Sequence, residues 1–182
     1  PSIGAENIDG IANHNFEKEK YVSYDFYDSL KKGIVRDGDV GIYKDGAFIG
    51  KSTYFGDGFP HKKFCVNEHV FLLRTDNINI TQKILYLWLQ QESNINQIIS
   101  LNSNSAQPGI NQQDVGRLKI LIADKLTTNK FDNLISPFFN TILNLAKKNL
   151  VLKKQKDLLL PYLISGKIDT SNLNIKISTK AA

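Results

Sequence analysis

The chain has 182 residues, 41% of them hydrophobic and 23% charged, which suits one domain with an appendage and excludes wholesale disorder. No run approaches the roughly 18–20 apolar residues that span a bilayer. The opening PSIGAENIDG is no signal peptide, and a single cysteine, Cys65, excludes an intrachain disulfide, so a reducing cytoplasm fits best. The net charge of +5 admits two readings, a nucleic-acid footprint or a lysine-rich solvated surface. The chain contains no methionine and opens on Pro1, as a segment cut or processed from a longer chain does.

Residues 1–124 mix glycines, aromatics and short apolar runs. GDVGIYKDGAFIGK, Gly38 to Lys51, reads as a β-hairpin: Val40 and Ile42 on one side, Phe48 and Ile49 on the other, and Lys44-Asp45-Gly46 as the tight turn. HVFLLR, His69 to Arg74, is a second strand signal, and RLKILI, Arg117 to Ile122, a third. Between them Ile84, Leu85, Trp88, Leu89 and Ile95 recur at helical spacing, which predicts one helix from Thr81 to about Ile99 with Thr81 as N-cap. Short strands, an interleaved helix and many loops indicate an α+β domain, largely antiparallel.

Residues 125–166 are the most regular part. With Ile135 at heptad position a, Ile142 and Asn149 follow at a, while Phe131, Phe138, Leu145, Leu152 and Leu159 fall at d. This spacing predicts a long coiled-coil helix whose pairing face comprises Phe131, Ile135, Phe138, Ile142, Leu145, Asn149, Leu152 and Leu159. The alternative is an amphipathic helix lying on its own domain. Pro137 either kinks a continuous helix or opens one at its first turn. Gly166 is the expected C-terminal stop, and residues 167–182 read as a flexible tail.

Little in the sequence carries catalysis. There is no GxxxxGK[ST] phosphate loop, no GxSxG, no HExxH and no Asn-Pro-Pro-Tyr methylase motif. Gly56-Asp57-Gly58 is a turn. His14, His61, His69 and Cys65 lack zinc-site spacing, Glu17 and Glu19 alternate with lysines as solvated positions do, and Cys65 between Phe64 and Val66 reads as a small buried hydrophobe. No catalytic or metal-binding residue is expected. Loop chemistry is richer. Lys44, Lys51, Ser52, Thr53 and Tyr54 flank the hairpin, His61, Lys62 and Lys63 form a basic cluster, and Asn102, Asn104, Ser105 and Gln107 lie in an amide-rich stretch. Lysines bind phosphate, and amides pair bidentately with adenine in the major groove. These residues are the candidate DNA contacts; a turn-rich connector is the alternative for residues 103–113.

The order of segments carries a resemblance: GDVGIYKDGAFIGK, NEHVFLLR, AQPGINQQDVGRLKI, FDNLISPFFNTI and finally QKDLLLPYLISGKID. It resembles half of the specificity subunit of type I restriction-modification systems. The resemblance implies a target recognition domain, residues 1–124, that begins some tens of residues before Pro1, followed by a spacer helix, residues 125–166, that pairs antiparallel with a second one. It also implies a non-catalytic DNA-recognition subunit that directs N6-adenine methylation and restriction by others. The chain itself would hold no cofactor. A modification subunit would supply S-adenosylmethionine, and a restriction subunit ATP and Mg. The second helix would come from another recognition half or from a homodimer. Two other readings stand beside this one: a recognition module of a single-chain restriction or methyltransferase enzyme, and a coiled-coil adaptor that does not bind DNA.

Overall fold

The computed structural model describes residues 1–102 and 109–168. The chain divides after Ala146 into two compact units, Pro1–Ala146 and Lys147–Ala182. The fold is α+β. Seven short strands, β1 (Ser2–Ile3), β2 (Ile8–Ile11), β3 (Asn13–His14), β4 (Val40–Tyr43), β5 (Ser52–Tyr54), β6 (Cys65–Val66) and β7 (Val70–Leu73), lie in the first unit. So do the helices α1 (Tyr24–Ser29), α2 (Gln82–Leu89), α3 (Glu92–Ser100) and α4 (Gln112–Gly116). The long helix α5 runs Lys125–Ile164.

Five strands form a sheet in the order β3-β2-β5-β4-β7, and β1 pairs with β6 separately. The pairs β2–β3, β4–β5 and β4–β7 are antiparallel, whereas β2–β5 and β1–β6 are parallel. The expected hairpin is present as β4–β5, with Val40 opposite Tyr54 and Ile42 opposite Ser52. Its return strand is not Phe48–Ile49, however. Asp45 is extended rather than left-handed, Gly46–Phe48 form a 3-10 turn, and an eight-residue connection, residues 44–51, replaces the tight turn. The Asp-Gly signal belongs instead to Asp57-Gly58. Both residues take positive φ (54° and 68°), and Phe59 N donates to Gly56 O at 3.0 Å, the geometry of a type I′ turn.

Two further expectations are corrected. The helix from Thr81 is two helices. Thr81 caps α2 as expected, its side chain accepting from Ile84 N. Gln91 is then extended, and Asn94 Nδ2 donates to Trp88 O at 2.7 Å across the break. The break lets Leu89 and Ile98, both fully buried, enter one core, whereas one straight helix would put them on opposite faces. The segment Arg117–Ile122 has the alternation of a strand but pairs with no strand among the described residues. Leu118, Ile120 and Ile122 line a groove of about 920 Å³ beside the edge strand β7, and Leu121 is 99% exposed.

α5 begins at Asp124, whose carboxylate accepts from Thr127 N at 3.0 Å and from Thr127 Oγ1 at 2.7 Å, an N-cap. It passes through Pro137 without ending. At its far end Gly166 N donates to Leu163 O and Lys167 N to Tyr162 O, with Gly166 at φ 69°, a Schellman stop as expected. The proposed tail lies outside the described residues from 169 onward.

The face α5 presents to the first unit is set by Thr128, Ile135, Phe139 and Leu143, all buried. Phe139 meets Tyr54 edge-on at 4.9 Å between centroids and Tyr86 at 6.0 Å. A polar clamp accompanies the stripe. Thr81 Oγ1 donates to Asp132 Oδ1 at 2.6 Å, Ser136 Oγ to Asp132 Oδ2 at 3.0 Å, and Lys83 Nζ to Ser136 Oγ at 2.9 Å. Burial pushes the Asp132 carboxyl up, but bonds from Thr81 and Ser136 and the Lys83 charge outweigh it and hold it below the ordinary carboxylate value. Ile135 thus belongs to the domain core, a correction to its expected place on the pairing face. The first compact unit accordingly extends past residue 124. Phe139→Ala should cost about 3–5 kcal/mol, because truncating a buried aromatic leaves a cavity. Phe48→Ala, at a 58% exposed position, should change stability by no more than about 0.5 kcal/mol; denaturant unfolding of the two variants checks the contrast.

Candidate nucleic-acid interface

The 44–51 connection is held at its base by residues distant in sequence. β4 pairs with β7 so that Tyr43 faces Val70, which brings Lys44-Asp45-Gly46 beside Asn67-Glu68-His69. Lys44 N donates to His69 O at 3.0 Å, and His69 Nδ1 lies 2.8 Å from Asp45 Oδ2. Asn67 Oδ1 accepts from His69 N at 3.1 Å and fixes that turn. The second brace comes from the amide-rich loop. Asp45 and Gly109 form an antiparallel bridge, Ile110 N donates to Lys44 O at 2.7 Å, and Asn102 Oδ1 accepts from Gly109 N at 3.0 Å. The two loops expected to carry DNA contacts are therefore tied together at their roots, on a rigid sheet edge.

At the surface of the 44–51 connection Gly46, Ala47 and Phe48 are exposed. Lys51 Nζ lies 5.5 Å from the Phe48 ring centroid and 3.8 Å from Asp9 Oδ1, and Lys44 Nζ lies 5.3 Å from the Phe71 ring. An exposed aromatic flanked by two cations can stack on a base while the cations hold phosphate. Phe48 is a further candidate contact, which the strand reading of Phe48–Ile49 hides. Its position between Gly46 and Gly50, in a lysine-flanked loop, is the signal that could have found it.

Three candidates are corrected. Ser52, Thr53 and Tyr54 are 4%, 3% and 8% exposed, because β5 is the central strand of the sheet. Ser52 Oγ accepts from Gln90 Nε2, Thr53 Oγ1 donates to Gly10 O at 2.6 Å, and Tyr54 packs on Tyr86 and Phe139. They hold the scaffold and cannot reach DNA. Lys62 and Lys63 are exposed, on the loop after the Asp57-Gly58 turn. His61 points the other way, its Nε2 2.5 Å from Glu19 Oε1. Asn102 is half-buried at the loop root, and Asn104, Ser105 and Gln107 lie outside the described residues.

Cys65 and the Asp39–Arg74 pair serve the fold. Cys65 is 1% exposed, as its apolar neighbours suggest. Arg74 and Asp39 make a two-pronged ion pair at 2.6 Å, and Arg74 NH2 donates to Ile34 O. Asp39 is also engaged by Arg36 N, so this buried carboxylate serves the fold. Hydrogen bonding to Asp39 raises the Arg74 pKa further. Among the described residues no helix is long and apolar enough to cross a membrane.

A family model described as "Type I restriction modification DNA specificity domain" matches residues 8–154. A curated relative, the type I restriction enzyme MjaIX specificity subunit of Methanocaldococcus jannaschii, is 27% identical over 111 residues, 61% of this chain and 25% of the relative. The chain thus spans about a quarter of the length of that relative.

The braced loops predict a division of labour. Replacing Lys44 and Lys51 together by Ala should lower duplex affinity severalfold and flatten its salt dependence by roughly one phosphate's worth per lysine lost from contact. Phe48→Ala should lower affinity with the salt slope unchanged, since stacking on a base releases no counterion. Fluorescence anisotropy across a salt series separates the two.

Proposed function

The chain belongs to the family of type I restriction modification DNA specificity domains, and on that premise we propose that it reads DNA sequence for partner subunits and performs no chemistry itself. The observation that carries this reading is the 44–51 connection, fastened to Gly109 and Ile110 through Asp45–Gly109 and Lys44–Ile110, with Phe48 exposed and Lys44 and Lys51 half-buried beside it. Positively charged, amide-rich loops on a rigid support position a backbone and read base edges.

In this reading the chain holds no cofactor for methyl transfer or DNA cleavage. A modification subunit brings S-adenosylmethionine, a restriction subunit brings ATP and Mg, and this domain decides where they act. The test uses the full chain. Purified protein should bind duplex DNA with an affinity that falls steeply with salt, about 0.9 log units per log unit of salt for each phosphate neutralised. It should transfer no methyl group from S-adenosylmethionine until a modification subunit is added. Methyl transfer by the chain alone, or duplex binding indifferent to salt, contradicts the proposal.

The proposal extends to α5. Its stripe Ile135, Phe139 and Leu143 is spent on the first compact unit. Phe138, Ile142, Leu145, Leu152 and Leu159 remain 39–64% exposed, on a helix that carries a second apolar row. Such a row is covered by another helix of the same kind, in a homodimer or from a second recognition half. Asn149, exposed in the same row, would restrict register there. Leu145→Asp with Leu152→Asp puts carboxylates into a dry seam, which is costly, and neither residue belongs to the buried core. Sedimentation should show the doubly substituted chain as a folded monomer where the native chain is a dimer.

A further inference from the structure

We propose that His14, Glu19 and His61 form a site for a divalent transition-metal ion, zinc by its donor set. The three residues come from separate segments. His14 is the last residue of β3, Glu19 follows the 3-10 turn Phe16–Lys18, and His61 stands in the loop after the Asp57-Gly58 turn. One ligand atom from each lies within 4.8 Å of the others. Glu19 Oε1 is the meeting point, 2.6 Å from His14 Nε2 and 2.5 Å from His61 Nε2. The Glu19 side chain is 4% exposed, which overturns its reading as a solvated residue among lysines. His14 is 2% exposed and His61 29%, so the cluster is closed on one side and open to water on the other.

Without an ion, the arrangement places one buried carboxylate oxygen between two imidazoles. The donor set of two nitrogens and one oxygen, with a water in the open fourth position, matches a three-ligand zinc site. Bonds of about 2.0–2.2 Å in a tetrahedron separate ligand atoms by about 3.3 Å. The two N···O contacts, at 2.6 and 2.5 Å, must therefore each open by less than about 1 Å, through adjustment of the Glu19 and His61 side chains.

The surroundings also set the expected strength. Tyr21 Oη donates to Glu19 Oε2 at 2.9 Å, orienting the carboxylate. The rings of Phe16 and Phe64 pack against the cluster, Phe16 at 4.5 Å from His14 and 5.8 Å from His61, and Phe64 at 6.3 Å from His61. His14 Nδ1, by contrast, is buried with no hydrogen-bond partner. Ligation through Nε2 puts a proton on Nδ1 with no acceptor, and a missing partner of this kind costs about 10–100-fold in affinity. The site is thus one of moderate rather than extreme affinity. Its structural effect is to staple the loop carrying Lys62 and Lys63 to the β2–β3 corner, and it stands whether or not that loop touches DNA.

The test uses the full, tag-free chain, stripped with chelator and then titrated with zinc or cobalt(II). Expected are one equivalent of bound metal by mass spectrometry of the metal content, an upward shift of the thermal midpoint, and the visible bands of tetrahedral cobalt without thiolate charge transfer. His61→Ala, at the partly exposed ligand, should weaken zinc binding at least about tenfold and abolish the midpoint shift. Lys62→Ala, its neighbour, should leave both intact. Glu19→Gln should behave as His61→Ala does. Failure of the native chain to retain zinc at micromolar concentration overturns the proposal, as does zinc binding that His61→Ala leaves unchanged.

Discussion

The docking of one helix stripe on the sheet organises this protein. Phe139 enters between Tyr54 and Tyr86, with Ile135 and Leu143 one helical turn to either side. Residues four apart lie on one face of a helix, so burying these three turns the residues at 134, 138 and 145 elsewhere and leaves Ile142 at the margin of the buried face. The same contact that completes the domain core therefore fixes which apolar residues α5 shows to the outside. Asp132, gripped by Thr81, and Ser136, gripped by Lys83, set the axial position of the helix, because both of those hydrogen bonds fail if α5 slides by a turn.

The sheet serves its loops in a related way. β5 is central and buried, so its residues cannot read a ligand, but it fixes the two ends of the hairpin from which the 44–51 connection departs. Asp45 then does two jobs, meeting His69 on the edge strand and Gly109 on the following loop. Variable loops on such a frame can change chemistry without changing the frame, as recognition surfaces generally require. The carboxylate of Glu19 acts likewise at the β2–β3 corner, gathering His14 and His61 around one oxygen.

Much of this was legible in the sequence, and the failures share a cause. The α+β class, the strands β4 and β7, the Thr81 cap, the helix through Pro137 and its stop at Gly166 follow from local patterns whose physics is local. The heptad reading placed Ile135 with Phe138 and Ile142, because α5 is apolar on two faces and periodicity does not say which face a domain claims. Ser52 to Tyr54 look like loop chemistry, since hydroxyls signal turns as readily as strands; only the sheet order shows β5 to be central. Arg117–Ile122 alternates as a strand does and finds a groove instead of a ladder. Glu19 sits among lysines in the sequence, and its two histidine partners, one of them 42 residues away, are a product of the tertiary fold alone.

The central claim is that this chain reads sequence and not merely charge. Selection from a pool of randomised duplexes, carried out with the full chain at rising salt, addresses it directly. The account predicts recovery of one short motif, whose enrichment grows as salt strips away non-specific phosphate binding. Duplex binding that enriches no motif at any salt, vanishing uniformly as the lysine contacts are screened, contradicts it.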